Sequence, residues 1–212
     1  MRKAVILGMM ALAGFGASDG QSAETAGFQV TVYVQDQQVA DPVLFSRAKA
    51  LATGIFAEIG VHLRWEVIGS PRPARGDSKG GHPTRPDREI VIRLAAQTPV
   101  GFHPGAPAYA LPYAKSGVQI TVFYDRVLGP GVVDPKAGVA FLGHVLAHEI
   151  AHVLQGLVRH SETGVMKAQW GPGDRQMIDK PLSFTPDDAE LIRLAFDRAN
   201  CETQTATLAS LR

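Results

Sequence analysis

Cysteine is nearly missing from this 212-residue chain, with Cys201 the only one. An internal disulfide is therefore excluded, and so is a structural zinc site closed by several thiolates. We read Cys201 as a free thiol, with pairing between two chains as the alternative. Charge of one sign is not in excess either, since 21 basic side chains stand against 20 acidic ones. That balance gives no electrostatic footing to nucleic acid or to an anionic membrane as partner. Low-complexity segments and internal repeats are absent, and beyond the first 17 residues we read no apolar run as a membrane span. The length suits one domain with a substantial core.

The N-terminus is of a different kind from the rest. Arg2 and Lys3 precede an apolar stretch from Ala4 to Ala17, and Gly16, Ala17 and Ser18 are small. This is the pattern of a secretory signal peptide over residues 1–18, too short to anchor in a bilayer. The expected mature protein is soluble and secreted or periplasmic. Losing Arg2 and Lys3 takes its net charge from +1 to −1 with His neutral.

Residues 27–200 read as one α+β domain with a mixed sheet, followed by a polar tail over 201–212. Alternation predicts a strand over Phe28 to Gln35, with Val30, Val32 and Val34 on one side. Asp41-Pro42 opens a helix whose apolar face is Leu44, Ala48, Leu51, Ile55 and Ile59, ending at Gly60. Three more strands follow over Val61 to Ile68, Glu89 to Ala95 and Val118 to Tyr124. Gly69 to Arg88, rich in Pro, Gly and Arg, is expected to be a surface loop. Its Arg75-Gly76-Asp77 tripeptide is read as chance. Gln97 to Gly117 is a second irregular stretch, carrying Tyr109 and Tyr113, and is a candidate cleft wall. One helix is predicted from Asp134-Pro135 to about Gln155. Another opens at Thr185-Pro186 and buries Leu191, Ile192, Leu194, Ala195 and Phe196.

The segment that carries chemistry is His148-Glu149-Ile150-Ala151-His152. On a helix, positions four apart lie one turn above each other, so both imidazoles face one side. They can offer nitrogen to one Zn²⁺ at about 2.0–2.1 Å. Glu149, turned about 100° around the axis, flanks the ion and can take a proton from a water that the ion activates. H-E-x-x-H on a helix is a zinc-peptidase signature. Five-residue matches do occur by chance. Here the match lies on an apolar helix, and His160 follows soon after Gly156. His144 falls on the same face, but a 144/148 pair lacks a Glu after its first His, so His144 is read as a packing residue beside the site.

From His148 to His160 the chain resembles the metzincin family and its matrixin-like branch, whose motif is H-E-x-x-H-x-x-G-x-x-H with a Met-containing turn below. Gly156 comes one residue later than that pattern and His160 two later. A left-handed glycine can still swing His160 back to the metal, and Glu162 is the alternative third ligand. Ser161 to Met166 resembles the Met-turn, with Met166 as its methionine. Trp170 falls where matrixins carry an aromatic residue on the wall of the main specificity pocket. Ala168 leaves no equivalent of the extra tyrosine ligand found in the astacin-like and serralysin-like branches. The paired Asp187 and Asp188, with Ile192 and Phe196 beyond, resemble the last matrixin helix. The resemblance implies a zincin-like domain with an N-terminal, an active-site and a C-terminal helix. It implies a single catalytic Zn²⁺ on His148, His152 and His160, and peptide hydrolysis with Glu149 as general base. An extended protein or peptide substrate is expected beside an edge strand near Ala108 to Leu111, touching Tyr109 and Ala110. Hydrolysis of a non-protein amide such as a cell-wall bond, and a silent binding protein on the same fold, are the competing readings.

Overall fold

The computed structural model describes residues 27–68, 88–102, 105–128, 134–170 and 181–210. The expected leader, the Arg75-Gly76-Asp77 tripeptide and nearly all of the Gly69 to Arg88 loop lie outside them. Five strands form one sheet: β1 (Phe28–Gln35), β2 (Val61–Val67), β3 (Arg88–Ala95), β4 (Ala108–Ala110) and β5 (Ile120–Phe123). Their order is β2-β1-β3-β5-β4, parallel throughout except for β4, which runs antiparallel to β5 at one edge. Among the described residues four α-helices accompany the sheet: α1 (Pro42–Ala57), α2 (Tyr124–Leu128), α3 (Pro135–Gln155) and α4 (Pro186–Ser210).

A parallel sheet needs cover, and its inner strands are accordingly apolar. All of β5 is buried, and in β1 Val30, Val32 and Val34 are joined by a buried Thr31. The unit β1-α1-β2 is a crossover between parallel neighbours. Asp41 starts α1, its carboxylate accepting from the N–H groups of Val43 and Leu44 at 2.9 Å each. Asp134 does the same for α3 through Lys136 N–H at 2.9 Å.

Several details differ from the sequence reading. The buried face of α1 is Phe45, Ala48, Ala52, Ile55 and Phe56, while Leu44, Leu51 and Ile59 are half-buried. The two phenylalanines carry more apolar area than the leucines, and the helix turns them inward. Leu51 instead lies across α3 at Gly143, where an added Cβ would sit 2.6 Å from Leu51 Cδ2. The irregular stretch after β3 contains β4, and the strand predicted to reach Tyr124 ends one residue earlier, where α2 begins. Leu194 on α4 is exposed rather than buried. The polar stretch from Cys201 continues α4 to Ser210, for it holds neither Gly nor Pro to stop a helix. Among the described residues, Lys136–Gln155 is long and apolar enough to cross a membrane, contrary to the sequence reading. It is a core helix, apolar nearly all round because 83% of it is buried in the fold.

Candidate metal centre

The second half of α3 supplies His148, Glu149 and His152, all buried with less than a tenth of their surface exposed. The helix stops at Gly156, whose φ of 65° and ψ of 34° lie in the left-handed region that glycine enters without a Cβ penalty. The chain then turns back, and His160 arrives beside the other two rings. Its ring centroid is 5.3 Å from that of His148 and 4.9 Å from that of His152. One nitrogen from each of the three imidazoles lies within 4.8 Å of the others. Among the described residues this is the group of side chains suited to a metal ion, and exposed Glu162 is not part of it.

The tautomers follow from the hydrogen bonds. His148 Nδ1 lies 2.8 Å from the Val165 carbonyl, and His152 Nδ1 lies 2.9 Å from that of Leu157. A carbonyl oxygen only accepts, so each Nδ1 carries the proton and donates it. Each neutral ring then keeps a lone pair on Nε2, and the two Nε2 atoms face each other at 3.0 Å. Two lone pairs in that position repel unless a cation lies between them. Burial favours the uncharged rings. It pushes His148 down to about 4, helped by nearby His152 and His160 and opposed by the Val165 bond. His152 and His160 are also lowered, by burial first. The donor set therefore fits a borderline divalent ion such as Zn²⁺, which takes neutral imidazole.

Burial alone pushes the Glu149 carboxyl up to about 8. His144, four residues before His148, is committed elsewhere. Its Nδ1–H donates to Ala140 carbonyl at 2.7 Å, and its Nε2 accepts from Leu182 N–H at 2.9 Å. With both nitrogens used, it has none left for a metal, and its ring packs edge-on to Trp170.

A cleft of about 490 Å³ opens onto His148, Glu149 and His160. Its far wall runs from Gly105 to Ala108, and its near wall includes Phe141, Val145 and Trp170. Arg126 on α2 steadies the far wall, donating to the carbonyls of Ala106 and Phe102 at 2.6 and 2.9 Å. Trp170 stands edge-on to Phe141 and His148, with ring centroids 5.7 and 5.5 Å away. Tyr109 turns to the opposite side of β4, packing on Phe102 and Phe123. At this edge Ala108 faces the cleft, and neither Tyr109 nor Ala110 lines it. Leu111 N–H bonds to Gln119 carbonyl and Phe123 N–H to Pro107 carbonyl, so odd-numbered residues face β5. The backbone groups of Ala108 and Ala110 therefore project from the free edge of the sheet.

The loop 161–167 closes beneath the centre. Ser161 N–H donates to Met166 carbonyl at 2.8 Å, and Met166 is wholly buried. The same loop offers the Val165 carbonyl that fixes the His148 ring. Sequence reasoning gave no role beyond the helix start to Asp188, which is fully buried. Thr185 and Asp188 have the spacing of a capping box, a signal of the helix start but not of what the carboxylate does outside it. Gly105 to Ala108 fall within the Gln97 to Gly117 stretch expected as a cleft wall, and they line the cleft.

No protein-family model and no curated protein matches the sequence. Among solved structures the chain is similar to archaemetzincin from Methanopyrus kandleri, at 18% identity over 83% of this chain and 99% of that one, with a TM-score of 0.48.

Proposed function

We propose that this protein is a zinc-dependent peptidase of metzincin type, exported by its N-terminal segment and acting on peptide bonds outside the cytoplasm. The observation that carries the reading is the pair of buried Nε2 lone pairs facing each other at 3.0 Å, with His160 beside them and Glu149 on the same open cleft. His148 and His152 would hold the ion through Nε2, with His160 as its third protein ligand. When bound, such an ion acts as a Lewis acid that polarises a carbonyl and makes water acidic.

The rest of the work belongs to the chain. Glu149 is placed to accept a proton from the attacking water and to pass it to the departing amine nitrogen. A carboxyl raised by burial to about 8 is protonated at neutral pH, so Glu149 depends on a neighbouring positive charge to become a base. The carbonyls of Val165 and Leu157 hold the imidazoles in the ligating tautomer. The free edge of β4 offers the N–H and C=O groups of Ala108 and Ala110 to an extended chain, in the manner of strand addition. That edge favours a peptide over a compact amide as substrate.

Glu149→Gln keeps the size of the side chain and removes the base. The zinc content should stay at that of the unaltered protein, while hydrolysis of casein or a peptide library falls by about 10²–10⁴-fold. Undiminished turnover in that variant rules the mechanism out. Cleavage of peptidoglycan fragments in place of peptides would replace the substrate class.

A further inference from the structure

Three residues apart in role meet at one buried carboxylate. Asp188 has no exposed surface. Its Oδ1 accepts from Arg159 Nη1 at 2.9 Å and from Ser161 Oγ at 2.7 Å. Its Oδ2 accepts from Thr185 Oγ1 at 2.6 Å, and Asp188 N–H returns a bond to the same hydroxyl at 3.2 Å. Thr185 N–H also donates to Oδ2 at 3.4 Å, and with the Asp188 N–H bond this makes a capping box that fixes the carboxylate to the first turn of α4. The Asp188 carbonyl also accepts from Gln155 Nε2 at 3.4 Å, which ties it to the last turn of the helix bearing His148 and His152.

Arg159 and Ser161 are the two neighbours of His160. In an extended stretch, residues i−1 and i+1 point to one side and residue i to the other. Both neighbours are drawn to one oxygen of Asp188, while the His160 ring lies against the two rings on α3. The sequence here departs from the family spacing by two residues between His152 and His160, and the exit from the helix is correspondingly longer. A longer exit needs its own restraint, and His160 itself is exposed.

We propose that Asp188 is the positioning residue for the third metal ligand, acting through Arg159 and Ser161 to hold His160 against the α3 pair. Burial would raise the Asp188 pKa, but the hydrogen bonds from Thr185, Ser161 and Arg159 outweigh it and hold the carboxyl below the ordinary carboxylate range. Asp188 is thus ionised at neutral pH and grips both donors. It touches neither substrate nor metal.

This inference rests on the zinc reading, and its test separates the two. Metal-free protein is titrated with Co²⁺ against a competing chelator, following both affinity and the visible absorption that reports coordination geometry. Asp188→Asn should weaken Co²⁺ by about 10–100-fold, the range seen when a group supporting a ligand is lost. It should also change the absorption in the same sense as His160→Ala. In the His160→Ala background the second substitution should add nothing, because its target is gone. The pair Arg159→Ala with Ser161→Ala leaves the capping box in place and should reproduce the loss, and it carries the test if Asp188→Asn does not fold. Affinity unchanged in that pair overturns the proposal, as does a fall of equal size with and without His160. Original protein that binds no Co²⁺ overturns the zinc reading and this inference together, whereas tight binding insensitive to Asp188 overturns the inference alone.

Discussion

At the scale of single residues, the centre is organised by what each polar atom has left to offer. His144, His148 and His152 recur every four residues on α3, yet only two of them are free to ligate. Two backbone carbonyls each hold one ring by Nδ1 and leave its Nε2 bare, while Leu182 N–H occupies the Nε2 of His144. Their common spacing of four does not separate these histidines; the Glu after His148 does so in the sequence, and in the fold the discriminating partners come from other parts of the chain. Asp188 makes the same point with a pH signature. Its folded pKa lies below the ordinary 3.8, so the unfolded chain takes up the proton first on acidification. Its stabilising effect is therefore complete above about pH 4 and fades as pH falls through the lower folded value. In the metal-free protein Asp188→Asn should cost about 1–3 kcal/mol at pH 7. Thermal unfolding followed by circular dichroism should show that gap closing below pH 4. A gap that stays constant down to pH 3 would mean the charge of Asp188 contributes nothing.

Among the elements, α1 packs on α3 at Gly143, with Leu51 filling the space a side chain there would need. Gly143→Val should force the two helices apart and cost about 1–3 kcal/mol. Adding Leu51→Ala should recover part of the loss, as a double-mutant cycle in urea would measure; strict additivity would show that the two do not touch. The elements that were legible in the sequence are those with a period and a cap. Helix α3 shows an Asp-Pro start and a glycine stop, and the structure ends it at Gln155 with Gly156 left-handed. The first strand likewise declares itself by alternation and runs from Phe28 to Gln35. What stayed hidden had no room for a pattern. β4 is three residues long and lies in the proline-bearing stretch read as loop, and α2 has only five residues, directly after a strand. The inward face of α1 was misjudged because leucine and phenylalanine compete for the same core, and only packing decides between them. The His-Glu-His constellation was readable because its geometry is local to one helix. The clamp on His160 was not, since Arg159 and Asp188 meet only through the fold.

For the whole molecule, stability comes from a sheet core shared by β1, β3, β5 and the helices, without a disulfide. Among the described residues the only cysteine, Cys201, is exposed on α4. Zinc at a hundredfold excess over its dissociation constant should stabilise the protein by about 2.7 kcal/mol. For a chain of this size that is a rise in Tm of about 5–10 °C. Treatment with a chelator should lower the Tm by the same amount and leave the far-ultraviolet spectrum unchanged; collapse of the helical signal on chelation would contradict this. The reason lies in where the three imidazoles sit along the chain. All three fall between residues 148 and 160, so an ion there fastens one short stretch and joins no distant parts of the domain. Folding and loading are in consequence separable events. On the proposed reading, a polypeptide of this design would reach its final shape empty, and the supply of zinc would then govern how many molecules work rather than how many fold.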